Sequence, residues 1–167
     1  MITLKPITEA DLPAIVRWRN DPQVNRWISD RIKTIPDAEK WFDRIKANPD
    51  NRLDGIYEGD TLIGYSIVEG VDMINRRCEI GIIIGDPKSW GRGIGAAVLK
   101  EQLRYAFEER RLHRVYGYVA RGNERSERLL RSAGFVHEGT QRESLIIHGE
   151  LSDLLLYSML EQEYRGA

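Results

Sequence analysis

The stretch 79-EIGIIIGDPKSWGRGIGAAVLKEQL-103 changes its pattern twice along its length. Its first residues, 79–84, are mostly β-branched and apolar, which is typical of a strand. A glycine-rich loop follows, and then an apolar stripe recurs at helical spacing, formed by Ala96, Leu99, Leu103 and Ala106. The start of a helix exposes unpaired N–H groups, and glycines at 91, 93 and 95 would let an anion approach them without interference from a Cβ. The stretch predicts a phosphate site, and a surface loop that merely contains glycines is the alternative.

Two common phosphate-binding motifs do not fit this loop. A dinucleotide-binding fingerprint needs G-x-G-x-x-G directly after a strand and an acidic residue about 20 positions later. Here the spacing is G-x-G-x-G, and Arg111-Leu112-His113 occupies the distant position. A P-loop needs a lysine followed by Ser or Thr after its glycines, and none follows here. Dinucleotide binding and Walker-type nucleotide hydrolysis are therefore excluded.

Outward from this stretch, strand and helix patterns alternate along the whole chain. Strands are predicted at 2–6, 53–57, 62–68, 78–84 and 114–119, with two more on either side of a His148-Gly149 turn. Helices are predicted at 8–20, at 36–47, from 92 onward and at 123–134, where Gly134 is a good terminator. With no linker or repeat between these elements, the sequence predicts a single domain over 1–167.

Composition narrows the classes of protein that fit. The chain has 25 basic and 26 acidic side chains, so it lacks the positive bias of a nucleic-acid-binding protein. One cysteine, Cys78, cannot form an internal disulfide, and the apolar runs are too short to span a bilayer. His113, His137 and His148 lack the spacing of metal ligands. We expect a cytoplasmic protein with no metal, no membrane contact and no nucleic-acid partner.

The hexapeptide Trp90-Gly91-Arg92-Gly93-Ile94-Gly95 resembles the acetyl-CoA signature of the GNAT superfamily of N-acetyltransferases, Q/R-x-x-G-x-G/A. Tryptophan replaces the usual Gln or Arg at the first position, which resembles the branch containing the ribosomal-protein and spermidine acetyltransferases. Four further segments resemble the family in the family's order. They are WRNDPQV at 18–24, CEIGIIIGDP at 78–87, NERSERLLRSAGF at 123–135 and GELSDLLLYSML at 149–160. The resemblance covers nearly the whole chain.

This resemblance implies the GNAT fold, an α/β (α+β) architecture. Its mixed, mostly antiparallel sheet of six to seven strands splays after the fourth strand and is flanked by about four helices. Coenzyme A would enter the gap, with acetyl-CoA as co-substrate and without a metal. The residues that it implies for cofactor binding are Ile82, Ile83, Ile84, Trp90, Gly91, Arg92, Gly93, Ile94, Gly95, Ala96, Asn123 and Ser126.

Acetylation of an amine requires a proton acceptor, an amide donor for the thioester carbonyl and a proton donor for the leaving thiolate. Glu79 is the predicted acceptor, because burial in an apolar strand would raise its pKa. The alternative is an ion pair with Arg76 or Arg77. By the resemblance, backbone N–H groups of residues 82–84 polarise the carbonyl where the strand bulges, and ordinary ladder pairing is the alternative.

Many GNAT enzymes have a tyrosine as proton donor at the position that Leu130 holds here. By similarity to the ribosomal-protein branch, Ser126 becomes the predicted donor, with helix capping as the alternative. Asn123 is either a ligand of the pantetheine arm or a plain N-cap. Tyr116 and Tyr118 share one face of a strand, where either one could contact the acceptor or the cofactor arm, and packing against the sheet is the alternative.

In the family, the first two helices and their connection wall the acceptor site, which implies substrate-binding roles for Trp18, Arg19, Asn20, Asn25 and Trp27. Over residues 17–33 there is an excess of three positive charges, from Arg17, Arg19, Arg26, Arg31 and Lys33 against Asp21 and Asp30. If these groups face the pocket, the acceptor carries negative charge, such as an acidic protein N-terminus or an amino sugar linked to a nucleotide. A solvated helix face is the alternative.

Three activities remain open from the sequence. The first is acetylation of a protein N-terminal α-amine, and the second is acetylation of a small molecule such as a nucleotide-linked amino sugar, a polyamine or an antibiotic. The third is a non-catalytic domain that senses acyl-CoA, which the missing tyrosine favours. A homodimer is left open as the assembly.

Overall fold

The structure is a computed structural model that describes residues 1–29 and 31–166. Its strands are β1 (Ile2–Pro6), β2 (Arg52–Glu58), β3 (Thr61–Asp72), β4 (Arg77–Ile84), β5 (Arg114–Ala120), β6 (Val136–Ile147) and β7 (Glu150–Leu160). Its α-helices are α1 (Leu12–Asn20), α2 (Ile35–Lys46), α3 (Ile94–Leu103) and α4 (Glu124–Ser132). The strands form one seven-stranded sheet in the order β1-β2-β3-β4-β5-β7-β6. The predicted mixed α/β fold with its mostly antiparallel sheet is confirmed.

The sheet opens between its two central strands. All neighbouring strands pair antiparallel except β4 and β5, which run parallel and pair only at Arg77↔Arg114, Cys78↔Val115 and Glu79↔Tyr116. By contrast, β4 stays paired with β3 up to Gly64↔Ile84. Beyond Glu79 the two central strands therefore diverge, which leaves the predicted gap after the fourth strand.

Helices cover the two faces of the sheet and enclose its apolar cores, and a smaller cluster of Ile56, Ile63, Ile94 and Val98 lies beside them. Alternate residues of a strand point to opposite faces, so Tyr65 and Ile67 of β3 lie on one face and Val68 lies on the other. The first face packs against α1 and α2 through side chains such as Ile15 and Phe42. The second packs against α3 and α4 in a core that includes Val68, Cys78, Leu99, Val115 and Leu130.

Local sequence explains where α2 begins, whereas the predicted stripe on α3 needs a correction. Thr34 and Asp37 form a capping box in which the Thr34 N–H donates to the Asp37 carboxylate at 2.9 Å. On α3, Ala96 is exposed, and the buried positions are Ile94, Val98, Leu99, Gln102 and Leu103. The helix begins at Ile94, so Ala96 faces away from the core, and the prediction for Ala96 as a core residue was wrong.

Within the described residues, none of the helices has both the length and the apolar character needed to cross a membrane.

Candidate active site

A cleft of about 1060 Å³ lies where β4 and β5 separate. Its walls come from the end of β4, the loop before α3, the first turn of α4 and the connection between α1 and α2. Many residues with a predicted role line it, namely Trp27, Ile82, Ile83, Ile84, Trp90, Gly91, Gly93, Ile94, Gly95, Ala96, Asn123 and Ser126. The fold therefore brings together residues that are far apart in the sequence.

The glycines before α3 have two different structural reasons. Gly91 (φ +74°) and Gly93 (φ +78°) adopt left-handed backbone conformations, and a Cβ on either would meet no atom within 4 Å. Open space therefore lies in front of the first amides of α3, which suits the approach of a pyrophosphate. A Cβ on Gly95 would lie 3.3 Å from Leu129 Cδ2, so this glycine lets α3 and α4 pack closely. Only Gly91 and Gly93 therefore fit the reason predicted from the sequence, which was access of an anion to the amides at the start of the helix.

Trp90, which departs from the family signature, organises one wall of the cleft. Its indole Nε1 donates a hydrogen bond of 2.9 Å to the backbone oxygen of Ile84 at the end of β4. The guanidinium of Arg125 lies over its ring, 4.5 Å from the centroid. Trp90 thus orients a cation beside the predicted phosphate site. Sequence reasoning missed Arg125, although it lies within the matched segment 123–135.

Arg92 differs from the other residues of the hexapeptide. It does not line the cleft, because its guanidinium Nη1 donates to a Glu58 carboxylate oxygen at 2.9 Å. The hexapeptide therefore contributes backbone and Trp90 to the cleft, while its only charged side chain ties the loop to β2.

The end of β4 can offer backbone groups to the gap. Ile82, Ile83 and Ile84 keep their register with β3, and no register shift occurs there between the described strands, so the expected bulge was wrong. The gap arises because β5 diverges rather than because β4 bends. On the side that β5 has left, backbone groups of β4 beyond Glu79 have no ladder partner.

Glu79 lies at the point where the two strands part, and its carboxyl group has an altered acidity. Burial raises the pKa of Glu79 to about 7, with a smaller contribution from the negative charge of Glu69, and the cations Arg44 and Arg31 oppose the shift. Glu69 is its direct cross-strand neighbour on β3. A pKa near neutrality suits a group that takes up a proton at physiological pH.

The ion pair considered for Glu79 does not form. Arg76 pairs with Glu161 at 3.0 Å, and Arg77 Nε lies 3.7 Å from Asp72. Glu79 has no hydrogen bond or ion pair with any residue of the described ranges. Its carboxylate is therefore available to a ligand.

Two tyrosines extend the polar surface from Glu79 along β5. Tyr116 is the register partner of Glu79, and burial, followed by the Glu79 charge, raises its pKa. The Tyr118 ring lies edge-on to Tyr116 at 6.0 Å and is 37% exposed. Tyr118 is therefore packed on one side and open on the other, which is compatible with both roles considered for it.

Ser126 and Asn123 lie at the start of α4 on the cleft wall. Asn123 caps the helix, because its Oδ1 accepts a hydrogen bond of 3.3 Å from the Ser126 N–H. The Ser126 hydroxyl makes no hydrogen bond to a described residue. Leu130, at the position of the usual tyrosine, is 8% exposed and belongs to the core. Of these three side chains, Ser126 alone offers a free proton donor.

The acceptor-site candidates separate into different environments. Trp18 is 5% exposed and packs in the core, where a Cβ on Gly85 would lie 2.0 Å from its ring. The Asn20 Nδ2 donates to the backbone oxygens of Val16 and Lys33, at 2.8 and 3.0 Å. Trp18 and Asn20 thus support the wall from behind and do not line the cleft.

Of the other three candidates, Trp27 lines the cleft, whereas Asn25 and Arg19 do not. Asn25 Nδ2 donates to the Arg19 backbone oxygen at 3.1 Å. Trp27 lines the cleft, and a Cβ on Gly122 would lie 3.0 Å from its ring, so Trp27 spans the gap to the loop after β5. Asp30, which entered the charge balance of this segment, lies outside the described residues.

Among residues 1–29 and 31–166, no three His, Cys, Asp or Glu side chains are grouped so that they could hold a metal ion.

Comparison with known proteins relates this geometry to a family. The sequence profile described as "Acetyltransferase (GNAT) domain" matches residues 1–136. YdaF of Bacillus subtilis strain 168, a candidate ribosomal N-acetyltransferase, is 38% identical over 111 residues, which make up 66% of this chain and 60% of YdaF. The spermidine N(1)-acetyltransferase of Vibrio cholerae is 27% identical over 98% of this chain and 95% of its own length. A crystal structure of spermidine N-acetyltransferase from Vibrio cholerae, in complex with CoA and spermine, matches with a TM-score of 0.87 and 25% identity, covering 98% of this chain and 97% of that one.

Proposed function

The chain belongs to the GNAT acetyltransferase family, and we propose that it acetylates the α-amine at the N-terminus of a protein. It is an N-acetyltransferase that uses acetyl-CoA. Its relatives include a candidate ribosomal enzyme and spermidine enzymes, so the comparisons leave the identity of the acceptor open. The observation that carries the proposal is the unpaired Glu79 carboxyl at the mouth of the gap, on a face whose other free charges are cationic.

The residues around the gap divide the reaction between them. The amides before and within the first turn of α3, with Gly91 and Gly93, would hold the pyrophosphate, and Arg125 would add positive charge beside it. Asn123 and the Ile82–Ile84 backbone would line the pantetheine arm. Acetyl-CoA supplies the thioester whose acyl group is transferred.

Proton transfer accounts for the roles proposed for Glu79 and Ser126. Glu79 takes a proton from the acceptor ammonium, directly or through water, which frees the nitrogen lone pair to bond to the carbonyl carbon. Backbone N–H groups of β4 stabilise the negative charge that develops on the carbonyl oxygen. When the carbon–sulfur bond breaks, Ser126 donates its proton to the thiolate and regains one from solvent.

The charge around the acceptor side favours a protein N-terminus over a polyamine. Arg26 lines the cleft, the charge of Arg31 acts on Glu79, and neither these two nor Arg19 forms an ion pair with any described carboxylate. A polyamine is a polycation and would meet repulsion there. The second candidate, a small-molecule amine, is favoured by the likeness to the structure that contains spermine. A non-catalytic domain that senses acyl-CoA is the third candidate function.

One assay separates the three candidates. Release of free thiol from acetyl-CoA is followed with protein N-terminal peptides, amino sugars and spermidine as acceptors. We expect acceptor-dependent release with peptides. Release only with a small molecule would favour the second candidate, and tight CoA binding without any release would favour the sensor.

We also propose that the protein is a homodimer and that it lies in the cytoplasm. The edge strand β6 and its neighbour β7 expose three apolar side chains, Val136, Ile146 and Leu151, whose exposed fractions are 51%, 57% and 61%. This apolar surface supports a homodimer that forms through the β6–β7 hairpin. Sedimentation velocity would detect it, and a monomer at all concentrations would remove it. The single, buried thiol of Cys78 suits the reducing cytoplasm.

A further inference from the structure

Arg19 is a half-buried cation without a counterion among the described residues. Most arginines away from the cleft pair with carboxylates, for example Arg114 with Glu138 and Arg121 with Asp153. Arg19 makes no such pair, and its Nε is buried without a hydrogen-bond partner. A guanidinium that is partly removed from water normally has a carboxylate or several acceptors near it. Its isolation indicates that a partner is supplied from outside the chain.

Arg19 is linked to two walls of the cleft through its neighbours, although its own side chain is not part of the lining. Its charge reaches Tyr65, where it opposes the effect of burial that raises the pKa of Tyr65 to about 12. Tyr65 is the register partner of Ile83, and Ile83 lines the cleft. On its other side, the Arg19 carbonyl accepts from Asn25, whose chain neighbour Arg26 also lines the cleft. Arg19 thus stands between the end of β4 and the α1–α2 connection.

The same face of the sheet carries Glu79, the opposite charge without a partner. Tyr65, Ile67 and Glu69 alternate along one face of β3, and Glu69 is the neighbour of Glu79 on β4. Glu69 itself pairs with Arg44 at 3.0 Å and so does not neutralise Arg19. On this face of the sheet Glu79 is therefore a carboxylate without a partner among the described residues, and Arg19 is a guanidinium without one, as is Arg31, whose charge acts on Glu79.

We propose that Arg19 binds a carboxylate of the acceptor, so that the preferred acceptor carries an anionic group within a few bonds of the amine that Glu79 deprotonates. This inference rests on the proposed N-acetyltransferase function and specifies its substrate. An N-terminal acidic residue of a protein has this chemistry, and so does a free acidic amino acid. Spermidine does not, because all its polar groups are cationic or donors. Arg19 is a positioning and specificity residue, not a catalytic one.

The test compares acceptors that differ only in charge. Two peptides are used, one beginning with Asp and the other with Asn at the same position, together with free aspartate and spermidine. For the unchanged enzyme we expect kcat/KM for the Asp peptide to exceed that for the Asn peptide by about tenfold, as for a partly desolvated charge pair. Free aspartate turning over as well as the Asp peptide would identify the small molecule as the source of the carboxylate.

Variants of α1 assign that preference to one side chain. Arg19→Gln should reduce the Asp-to-Asn ratio to about one while leaving the Asn peptide within about threefold of its original rate. Arg19→Lys should retain part of the ratio. Arg17→Gln is the matched control, because Arg17 lies on the same helix but is exposed, whereas Arg19 is half-buried with its Nε unpartnered. It should leave the ratio unchanged.

The outcomes separate the inference from the function on which it rests. An Asp-to-Asn ratio near one in the unchanged enzyme, or a ratio that survives in Arg19→Gln, would overturn the role of Arg19 while leaving acetylation intact. Absence of thiol release with every acceptor would instead contradict the proposed function. Calorimetric binding of CoA to Arg19→Gln shows that the variant is folded, so a lost ratio cannot be attributed to unfolding.

Discussion

Glu79 shows how one side chain acquires a useful acidity from its position. A carboxyl group in water has a pKa near 4.5, and burial between β3 and β5 raises that of Glu79 to about 7. Glu69 reinforces the shift from the neighbouring strand, while Arg44 and Arg31 limit it. Near neutral pH the group therefore exchanges between its two protonation states, as a general base must.

The pH dependence of the rate tests this role. As base, Glu79 must be deprotonated, so kcat/KM should rise with pH through a limb centred near the pKa of about 7. Glu79→Gln should lack this limb and lose about 100-fold in rate at about pH 7.5. Initial rates across pH measure both, and an unchanged profile in the Gln variant would remove Glu79 from the mechanism. As a control, Glu69→Gln should shift the limb to lower pH, because it removes a negative neighbour.

The same raised pKa predicts a cost in stability. Between about pH 4.5 and 7 the folded state keeps a proton that the unfolded state has lost, so stability falls as pH rises through this window. Above it, the charged carboxylate disfavours the folded state, and Gln carries no charge. Glu79→Gln should therefore be more stable than the unchanged protein by about 1–2 kcal/mol at about pH 8, after allowance for solvent screening, and equal to it at about pH 4. Urea unfolding at both pH values measures the difference in stability between the two proteins. Equal stability at about pH 8 would contradict the prediction and show that the Glu79 charge is well solvated.

At the scale of elements, the start of α3 is the part to which we assign the cofactor pyrophosphate. Gly93 is the N-cap in a left-handed conformation, and Gly91 precedes it in the same conformation. Crowding within the protein does not explain why these two residues are glycines, because a Cβ at either position would meet no atom within 4 Å. The left-handed backbone accounts for glycine at both positions, and the open space in front of them fits the pyrophosphate site that we propose.

Substitution of this N-cap glycine separates binding from folding. Gly93→Ala should destabilise the fold by only about 1 kcal/mol, the cost of a left-handed alanine, because its methyl group meets no protein atom. It should weaken CoA affinity at least about tenfold, since the methyl occupies the approach to the amides. Calorimetry measures the affinity for CoA, and thermal unfolding measures the stability of the fold. Gly59→Ala, at φ +61° in the open β2–β3 turn, is the matched control and should keep full affinity; equal affinity in the Gly93 variant would place the phosphate elsewhere.

Elements with strong local patterns were predictable, and features created by tertiary contacts were not. The helix predicted over 36–47 corresponds to α2, whose apolar residues recur at helical spacing and whose start the structure shows to be fixed by a Thr34–Asp37 capping box. Gln102 was not anticipated, since a glutamine in an apolar stripe gives no local signal. Its Nε2 donates to Ser66 Oγ and to the Ile67 and Gly81 backbone oxygens, each at 2.9 Å, and so ties α3 to β3 and β4. Only the folded sheet brings those acceptors together.

At the scale of the whole molecule, the distribution of paired and unpaired charges distinguishes the cleft from the rest of the surface. The near-zero net charge of the sequence hides this asymmetry, because most arginines elsewhere pair with carboxylates. The sequence did indicate an excess of cations over 17–33, but it could not tell which of them would lack partners. Arg19 and Arg125 acquire their importance from neighbours contributed by other elements, Tyr65 and Trp90.

The resemblance of the motifs supplied the order of elements and the location of the cofactor gap, whereas the reason for the gap required coordinates. A bulge in β4 was expected, and the structure instead shows two strands that stop pairing after Glu79. Register between distant strands depends on the packing of both faces of the sheet, which no local pattern encodes. The candidate acceptor wall was likewise only half resolved by sequence, since Trp18 packs in the core while Trp27 lines the cleft.

The central claim is that this cleft transfers an acetyl group to the α-amine of a peptide. Tandem mass spectrometry of an acidic N-terminal peptide incubated with the enzyme and acetyl-CoA tests it most directly. We expect one added acetyl group, located on the N-terminal nitrogen and absent when the enzyme is omitted. An unmodified peptide, in the presence of enzyme that binds CoA with measurable heat, would contradict it.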